Sequence, residues 1–241
     1  MENRGVIPRP LQPLKAIRAI QRLIANPDDT AQVFCVIRAL TGNSFERLYQ
    51  RVMADPVGRR VLDEKRDILA LLKDRQALRE MADGTLGREY ARFVDLEGID
   101  AEGLIDASEE IEDPANFLDE RAHILSRRLR DTHDLWHVIT GYHRDIFGEV
   151  ALLAFTHAQT RNHGVGFIVF IASLRLWHEG HRDAIRLIWD AWWRGRRAGF
   201  FAAADWEALV QMPLAEVRRK LGVPDLPAYA PMFSAAATAT R

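Results

Sequence analysis

Apolar residues recur along the chain at intervals of three and four, the spacing that is typical of amphipathic α-helices. The clearest case is a helix that we predict over residues 14–25, where one stripe contains Leu14, Ile17, Ile20, Leu23 and Ile24. The same spacing predicts further helices at 30–40, from 44 to a break at Asp55-Pro56, one or two within 57–81, at 88–95, from about 115 past 133, from 147 to a break at Arg161, and at 165–178, 181–197, 205–210 and 214–221. No convincing alternation of apolar and polar residues, which would indicate a strand, interrupts this series.

The pattern therefore predicts an all-α protein, a single multi-helix domain over residues 1–241, with short connections that favour antiparallel neighbours. Residues 1–13 and 224–241 contain several prolines, and we expect both segments to be extended or frayed. Residues 95–113 are acidic and weakly periodic, which predicts a surface excursion with one short helix near 103–110.

The composition narrows the class of protein. Hydrophobic residues make up 48% of the 241 residues, which is enough for a sizeable core and excludes wholesale disorder. The formal net charge is -1 and charges of both signs are interspersed, so no general electrostatic field indicates a nucleic-acid partner. The longest apolar run, residues 165–172, is far shorter than the roughly 20 residues that span a bilayer, which predicts a soluble or peripheral protein.

Cysteine usage and the N-terminus bear on the compartment. Cys35 is the only cysteine, so no internal disulfide can form, and its apolar neighbours indicate a buried structural thiol. The first residues lack the apolar segment of a signal peptide. Basic residues are mostly arginine and alanine is abundant, which favours a GC-rich bacterial genome. We therefore expect a protein of the bacterial cytoplasm.

The candidate chemistry is concentrated in residues 130–149. His133 and His137 are four residues apart, so on a helix both imidazoles project from one face, as a helix that binds a metal ion requires. Asp134 could bind the metal directly, or orient an imidazole or a metal-bound water. Glu149 follows His137 by twelve residues and can return to the site only if the connection 141–148 folds the two helices into a hairpin.

Two common metal-site motifs match this stretch only in part. A zinc peptidase uses His-Glu-x-x-His, but Asp134 stands at the position of the glutamate and no third-ligand signature follows. A metal-dependent phosphohydrolase of the HD type needs a histidine well upstream, and His123 lies only ten residues before His133. Spacing alone leaves two interpretations open, a metal site and a structural pair of histidines that hydrogen-bond a neighbouring helix.

The complete pattern resembles a known signature. His133-Asp134-x-x-His137, eleven residues and then Glu149 is similar to the motif of the Coq4 family of ubiquinone (coenzyme Q) biosynthesis. Supporting similarities are Leu86-Gly87-x-x-Tyr90-x-x-Phe93 upstream and Leu214-x-x-Val217-Arg218 downstream, and the resemblance covers about residues 70–223. The chain departs from the family in the acidic excursion at 95–113, in the additional His157 and His163, and in the charged turn His143-Arg144.

The resemblance implies a metal site in a helix-turn-helix hairpin, with His133, Asp134, His137 and Glu149 as both the metal ligands and the catalytic residues. The implied cofactor is a divalent metal ion. Zinc is the first candidate, and iron, manganese and cobalt are also compatible with nitrogen and oxygen ligands. The implied activity is that of a 4-hydroxy-3-methoxy-5-polyprenylbenzoate decarboxylase-like lyase, which removes the C1 carboxylate, oxidatively or not. The alternative function is a non-catalytic scaffold or polyprenyl-lipid-binding organiser of a ubiquinone biosynthesis complex.

The resemblance also implies partners. These are a polyprenylated benzoate or quinone intermediate, other ubiquinone biosynthesis enzymes, and the inner face of the cytoplasmic membrane as a peripheral contact; a homodimer is allowed and nucleic acid is not expected. The apolar segments 150–155 and 165–176 could line a groove for the prenyl tail or form core, and Phe155, Phe167, Phe170 and Leu174 are the residues in question. The Trp- and Arg-rich segment 189–197 could contact anionic lipid or simply end a helix with favourable cations.

Overall fold

The computed structural model describes residues 5–7, 10–26, 29–98, 117–223 and 225–232. Within these ranges the chain is helical and contains no strand, so the all-α prediction is confirmed. Two isolated bridges, Val6 with Phe117 and Thr85 with Pro213, are the β-type pairings in this part of the chain. Most of the acidic excursion predicted at 95–113, including its short helix, lies outside the described residues.

The described residues form fourteen α-helices and one short 3-10 helix. In chain order the α-helices are α1 (Pro13–Ala25), α2 (Thr30–Leu40), α3 (Ser44–Ala54), α4 (Pro56–Asp63), α5 (Ile68–Lys73), α6 (Arg75–Glu80), α7 (Leu86–Glu97), α8 (Glu120–Asp131), α9 (His133–Thr140), α10 (Ile146–Thr160), α11 (His163–His178), α12 (Arg182–Arg197), α13 (Trp206–Leu209) and α14 (Leu214–Lys220). The 3-10 helix, Phe201–Ala203, follows α12.

Side-chain caps divide the segment 57–81 into more helices than its apolar spacing predicts. We expected one or two helices within 57–81, and the structure has three, α4, α5 and α6. The Asp67 carboxylate accepts hydrogen bonds from the backbone N–H groups of Leu69 and Ala70, and the Asp74 carboxylate accepts one from Ala77. Each aspartate therefore begins a new helix inside a segment whose apolar spacing is nearly continuous.

The prediction of one long helix from about 115 past His133 is wrong. The chain breaks at Thr132, which has φ -91° and ψ 1°, between α8 and α9. The buried Thr132 hydroxyl donates to the carbonyl of Arg128 at 2.7 Å, a local hydrogen bond that competes with regular helix geometry. His133 is therefore the first residue of a short helix and not part of the second half of a long one.

Three hydrophobic clusters hold the helices together. The largest cluster surrounds α10, which packs along α12 and α11 and fully buries Leu152, Ala154 and Phe155. The second joins α3, α4 and α8, and the third joins α1, α2 and α11. Cys35, predicted to be a buried thiol, is partly buried against the third cluster. Of the helices in the described ranges, none combines the length and the apolar composition needed to cross a membrane.

Candidate metal centre

The helices α9 and α10 form the hairpin that the sequence pattern requires. Gly141 ends α9 with φ +76°, a backbone conformation that favours glycine, and its N–H donates to the carbonyl of His137 at 2.9 Å. After a short connection, the Asp145 carboxylate caps α10 by accepting from the N–H groups of Phe147 and Gly148. The chain reverses here, and Glu149 in the first turn of α10 returns to the histidines of α9.

Three donor side chains meet at this hairpin. His133, His137 and Glu149 each offer one ligand atom, and the three atoms lie within 4.8 Å of one another. His137 Nε2 is 3.4 Å from Glu149 Oε2, and the two imidazole rings are 4.8 Å apart at an angle of 74°. Two imidazole nitrogens and a carboxylate oxygen are a donor set that suits a divalent transition metal.

The surroundings of His137 also suit a metal ligand. Its side chain is 0% exposed, and its ring lies 5.8 Å from the Phe93 ring at 22°. Nδ1 is 2.9 Å from the carbonyl oxygen of Tyr142, which can only accept, so Nδ1 carries the proton and donates. Nε2 is then an acceptor, and it is buried without a hydrogen-bond partner among the described residues. A lone pair that faces a carboxylate in a buried site needs a cation between them, so the residues fit a metal ion.

Asp134 lies beside the three donors. Its Oδ1 atom is 3.3 Å from His133 Nδ1, and the carboxylate is not one of the three groups whose ligand atoms converge. Because Asp134 pairs with Nδ1, Nε2 is the His133 nitrogen that remains to bind a metal. Of the two roles considered above, this geometry favours orientation of an imidazole by a carboxylate.

The acidic and basic groups of the cluster shift one another's pKa values toward the charged forms. Burial alone would raise the pKa of the Glu149 carboxyl, but His137, His133 and Arg144 outweigh burial and lower that pKa to about 2. Burial acts to lower the pKa of His133, and the carboxylates of Asp134 and Glu149 outweigh it and raise that pKa. A positive charge at this place is therefore stabilised by the two carboxylates, and a bound metal ion would supply such a charge.

The site opens to solvent on one side. His133 and Glu149 are 30% and 33% exposed, whereas His137 lies at the closed end. Arg144 stands at the opening, with its Nε 3.4 Å from Glu149 Oε1. The buried Tyr90 lies close enough to Asp134 that the carboxylate adds to the effect of burial and raises the pKa of the tyrosine. The α7 segment with Tyr90 and Phe93 therefore forms an inner wall of the site.

Several other residues near the hairpin have contacts of their own. His143 is exposed, and its ring lies 6.1 Å from that of Tyr229. His157 Nδ1 pairs with the carbonyl of Asn162, and His163 Nε2 lies 3.1 Å from Arg47 Nη2. These histidines do not join the three donors.

The sequence pattern did not identify Tyr142, Asp145 or Tyr229 as part of the site. Asp145 carried a recognisable signal, because aspartate just before a helix is a common N-cap. Tyr142 acts through its backbone carbonyl, and Tyr229 lies 84 residues beyond Asp145, so neither has a local sequence signal.

Sequence comparisons match this chain to one family of known proteins. The family model described as "Coenzyme Q (ubiquinone) biosynthesis protein Coq4" matches residues 12–227. The chain is 31% identical over 188 residues to the mitochondrial ubiquinone biosynthesis protein COQ4 homolog of Xenopus laevis, covering 76% of this chain and 62% of that protein. It is 30% identical over 190 residues to the mitochondrial ubiquinone biosynthesis protein COQ4 of Debaryomyces hansenii, covering 75% of this chain and 55% of that protein.

One solved structure has the same fold. It is the crystal structure of a candidate ubiquinone biosynthesis protein from Nostoc punctiforme, with a TM-score of 0.67 and 22% sequence identity, covering 90% of this chain and 100% of that chain. At this identity the likeness shows the fold alone. The chain spans 62% and 55% of the length of the two curated relatives above, so their activity is not carried over with the match.

The curated relatives also correct the predicted location. Both are named as mitochondrial proteins, and this finding overturns the prediction of the bacterial cytoplasm and the inner face of its membrane. That prediction was wrong because arginine and alanine usage follows the base composition of a genome, and composition does not report a compartment. The family model covers nearly the whole chain, and both relatives carry the name of the same family. The chain belongs to the Coq4 family of ubiquinone biosynthesis proteins.

Proposed function

We propose that this chain acts in ubiquinone biosynthesis as a metal-dependent decarboxylase of a polyprenylated 4-hydroxybenzoate-type head group. One observation carries the proposal: the Nε2 atom of His137 is buried, has no hydrogen-bond partner among the described residues and lies 3.4 Å from Glu149 Oε2. Membership of the Coq4 family supplies the pathway. A buried lone pair of this kind is costly in a purely structural role, because it loses its hydrogen bond to water.

In this proposal His133, His137 and Glu149 hold a divalent ion, with zinc first and iron, manganese or cobalt as alternatives. When bound, the ion supplies a Lewis acid that stabilises negative charge developing on the substrate. Asp134 holds the His133 ring in place through Nδ1, and the Tyr142 carbonyl does the same for His137. The charge of a divalent ion would be balanced by the carboxylates of Glu149 and Asp134, so Arg144 supplies the positive charge that favours an anionic substrate.

The open side of the site suits a carboxylate. Arg144 is 38% exposed and 3.4 Å from Glu149, so its guanidinium is positioned to hold a substrate carboxylate as that group enters. In the reaction the bond between C1 and the carboxyl carbon breaks, carbon dioxide leaves and the electron pair stays on the ring. A proton must then reach C1, or an oxidant such as dioxygen must accept electrons if C1 is hydroxylated. His133 and Asp134 form a pair on the solvent-exposed side of the site, whereas the His137 side chain is 0% exposed.

A second candidate function is a scaffold or polyprenyl-lipid-binding organiser. Phe170, Leu174 and Trp177 recur on one face of α11 and are 64%, 57% and 56% exposed, an unusual amount of apolar surface for a helix of a soluble protein. On α12, Trp189 and Trp193 are also exposed, and Arg197 stacks on Trp193. These faces favour a peripheral contact with a lipid surface or a pathway enzyme. Phe155 is fully buried, so it belongs to the core and not to a lipid groove.

The experiment is a measurement of carbon dioxide release. Purified protein, analysed for metal and loaded in turn with zinc, iron, manganese or cobalt, is incubated with a prenylated 4-hydroxybenzoate analogue. We expect carbon dioxide from the wild-type protein, and loss of both metal and product from His133→Ala and Glu149→Ala with the helical circular dichroism unchanged. His178→Ala is the matched control, because this histidine is exposed on α11 and its replacement should alter neither readout.

The same variants separate the two functions. Absence of product with every metal, together with normal ubiquinone production by Glu149→Ala in cells that depend on this chain, would contradict the decarboxylase and favour the organiser.

A further inference from the structure

We infer that residues 225–232, which we call the C-terminal strap, position the metal-binding hairpin, and that Tyr229 is the positioning residue at its centre. The inference rests on the proposed metal site. It concerns residues that lie far from the His-Asp-x-x-His motif in the sequence. The strap has no regular secondary structure, and its contacts run along the connection between α9 and α10.

The contacts converge on Asp145. This carboxylate is 1% exposed, and it accepts four hydrogen bonds. Two come from the first turn of α10, from the N–H groups of Phe147 at 3.0 Å and Gly148 at 3.3 Å. The other two come from the strap, from the Tyr229 hydroxyl at 2.7 Å and the Met232 N–H at 2.9 Å. One buried charge therefore joins the start of the ligand helix to the strap.

Tyr229 joins the two ends of the connection. Its hydroxyl donates to Asp145 Oδ2 and accepts from the backbone N–H of His143 at 2.8 Å. Burial and the nearby Asp145 carboxylate raise the pKa of this hydroxyl, so it keeps its proton and its role as donor at physiological pH. A phenylalanine would occupy the same space and would lose both hydrogen bonds.

The strap is attached at both of its ends as well. The Ile146 N–H donates to the Met232 carbonyl at 2.7 Å, next to the Asp145 contacts. At the other end, Leu226 lies against Gly141, where an added Cβ would meet Leu226 Cδ2 at 2.6 Å. Arg194 of α12 donates to the carbonyls of both Thr140 and Asp225, which ties the end of α9 to the start of the strap.

These contacts act on the metal ligands through two short routes. The Glu149 N–H donates to the Asp145 carbonyl at 2.9 Å, so the position of Asp145 sets the first turn that carries Glu149. The Tyr142 carbonyl accepts from His137 Nδ1, so the position of the connection also sets the His137 ring. Outer partners of this kind typically change metal affinity by roughly 10- to 100-fold when they are removed.

The test is Tyr229→Phe, with Tyr49→Phe as the matched control. Tyr49 has the same arrangement in another part of the molecule, because its hydroxyl donates to Asp119 at 2.5 Å and Asp119 caps α8. We expect Tyr229→Phe to raise the dissociation constant for Zn²⁺ roughly tenfold, measured by competition with a chromogenic chelator. It should also change the visible absorption of the Co²⁺-loaded protein, whereas Tyr49→Phe should leave both unchanged.

Amide hydrogen exchange of the metal-free proteins gives a readout that needs no metal. In Tyr229→Phe the amides of His143, Phe147 and Gly148 should exchange faster than in the wild type, and in Tyr49→Phe they should not. Equal Zn²⁺ affinity of wild type and Tyr229→Phe would overturn the strap inference alone. Failure of the wild type to bind any divalent metal would overturn the proposed function, and the exchange rates would then still decide whether the strap orders the connection.

Discussion

His137 and Glu149 are the two residues whose contact supports a metal site most directly. The Tyr142 carbonyl holds the proton of His137 on Nδ1, so Nε2 presents a lone pair to the Glu149 carboxylate at 3.4 Å. Two acceptors at this distance repel unless a proton or a metal ion lies between them. This arrangement supports the proposal that a metal ion binds between the two groups.

This pairing predicts how stability responds to acid. The pKa of Glu149 in the folded, metal-free protein is lowered from 4.5 to about 2, so the carboxylate contributes stability above its unfolded pKa and loses it as the pH falls from about 4.5 toward 2. We expect urea unfolding to show that metal-free Glu149→Gln is less stable than the wild type at neutral pH, and that the difference shrinks over that acid range. Glu216→Gln, an exposed carboxylate on α14, is the control. A difference that stays constant with pH would contradict the prediction.

The α9–α10 hairpin brings Glu149 close to His133 and His137. Thr132 makes His133 the first residue of α9, Gly141 ends the helix, and Asp145 begins α10. Gly148 lets the connection pack tightly, since a Cβ there would meet the His143 carbonyl oxygen at 2.1 Å and the Tyr229 hydroxyl at 2.5 Å. The small residue beside Glu149 is therefore required by the packing of the connection and the strap.

Substitution of this glycine tests the tight packing of the hairpin. Gly148→Ala forces the connection or the strap to move, and we expect it to lower the free energy of unfolding by about 1–3 kcal/mol. Gly199→Ala is the control, because the nearest atom to its added Cβ lies at 3.5 Å, an ordinary contact. Urea unfolding followed by tryptophan fluorescence measures both. Equal stability of the two variants would show that the connection tolerates the side chain.

In the complete fold, a largely buried ion pair joins a distant segment to the helix that precedes the site. Arg128 of α8 donates to Glu207 of α13 at 2.5 and 2.8 Å, and also to the carbonyl of Arg66. The two side chains are only 8% and 16% exposed. The pair joins segments 79 residues apart, directly before the break at Thr132. The interpretation of residues 1–241 as a single domain stays a prediction.

Removal of one partner from this pair should be costly. Arg128→Ala leaves the largely buried Glu207 carboxylate without its partner, and we expect a loss of about 3–5 kcal/mol in the free energy of unfolding. Arg186→Ala is the matched control, because its pair with Asp183 has side chains that are 84% and 97% exposed and should contribute less than about 1 kcal/mol. Chemical denaturation of both variants gives the comparison. A loss below about 1 kcal/mol for Arg128→Ala would contradict the expected cost of the unpaired charge.

The all-α class, most helix positions and the segment that contains the candidate site could be predicted from the sequence. Apolar spacing reports which face of a helix is buried, and the i, i+4 spacing of His133 and His137 is a local geometric fact. The sequence pattern also identified Glu149, because a short connection with a glycine at each end permits a hairpin. The roles of His133, Asp134, His137 and Glu149 as metal ligands or catalytic residues stay a prediction.

The contacts that hold the candidate site in place could not be predicted from the sequence. The break at Thr132 depends on a buried hydroxyl, and the extra helix at Asp74 depends on a cap inside an apolar segment; spacing reports neither. The role of Tyr229 depends on the strap folding back over 84 residues to reach Asp145. A local pattern fixes which residues share a helix face, whereas contacts between remote segments arise from packing and buried hydrogen bonds, so they leave no periodic trace in the sequence.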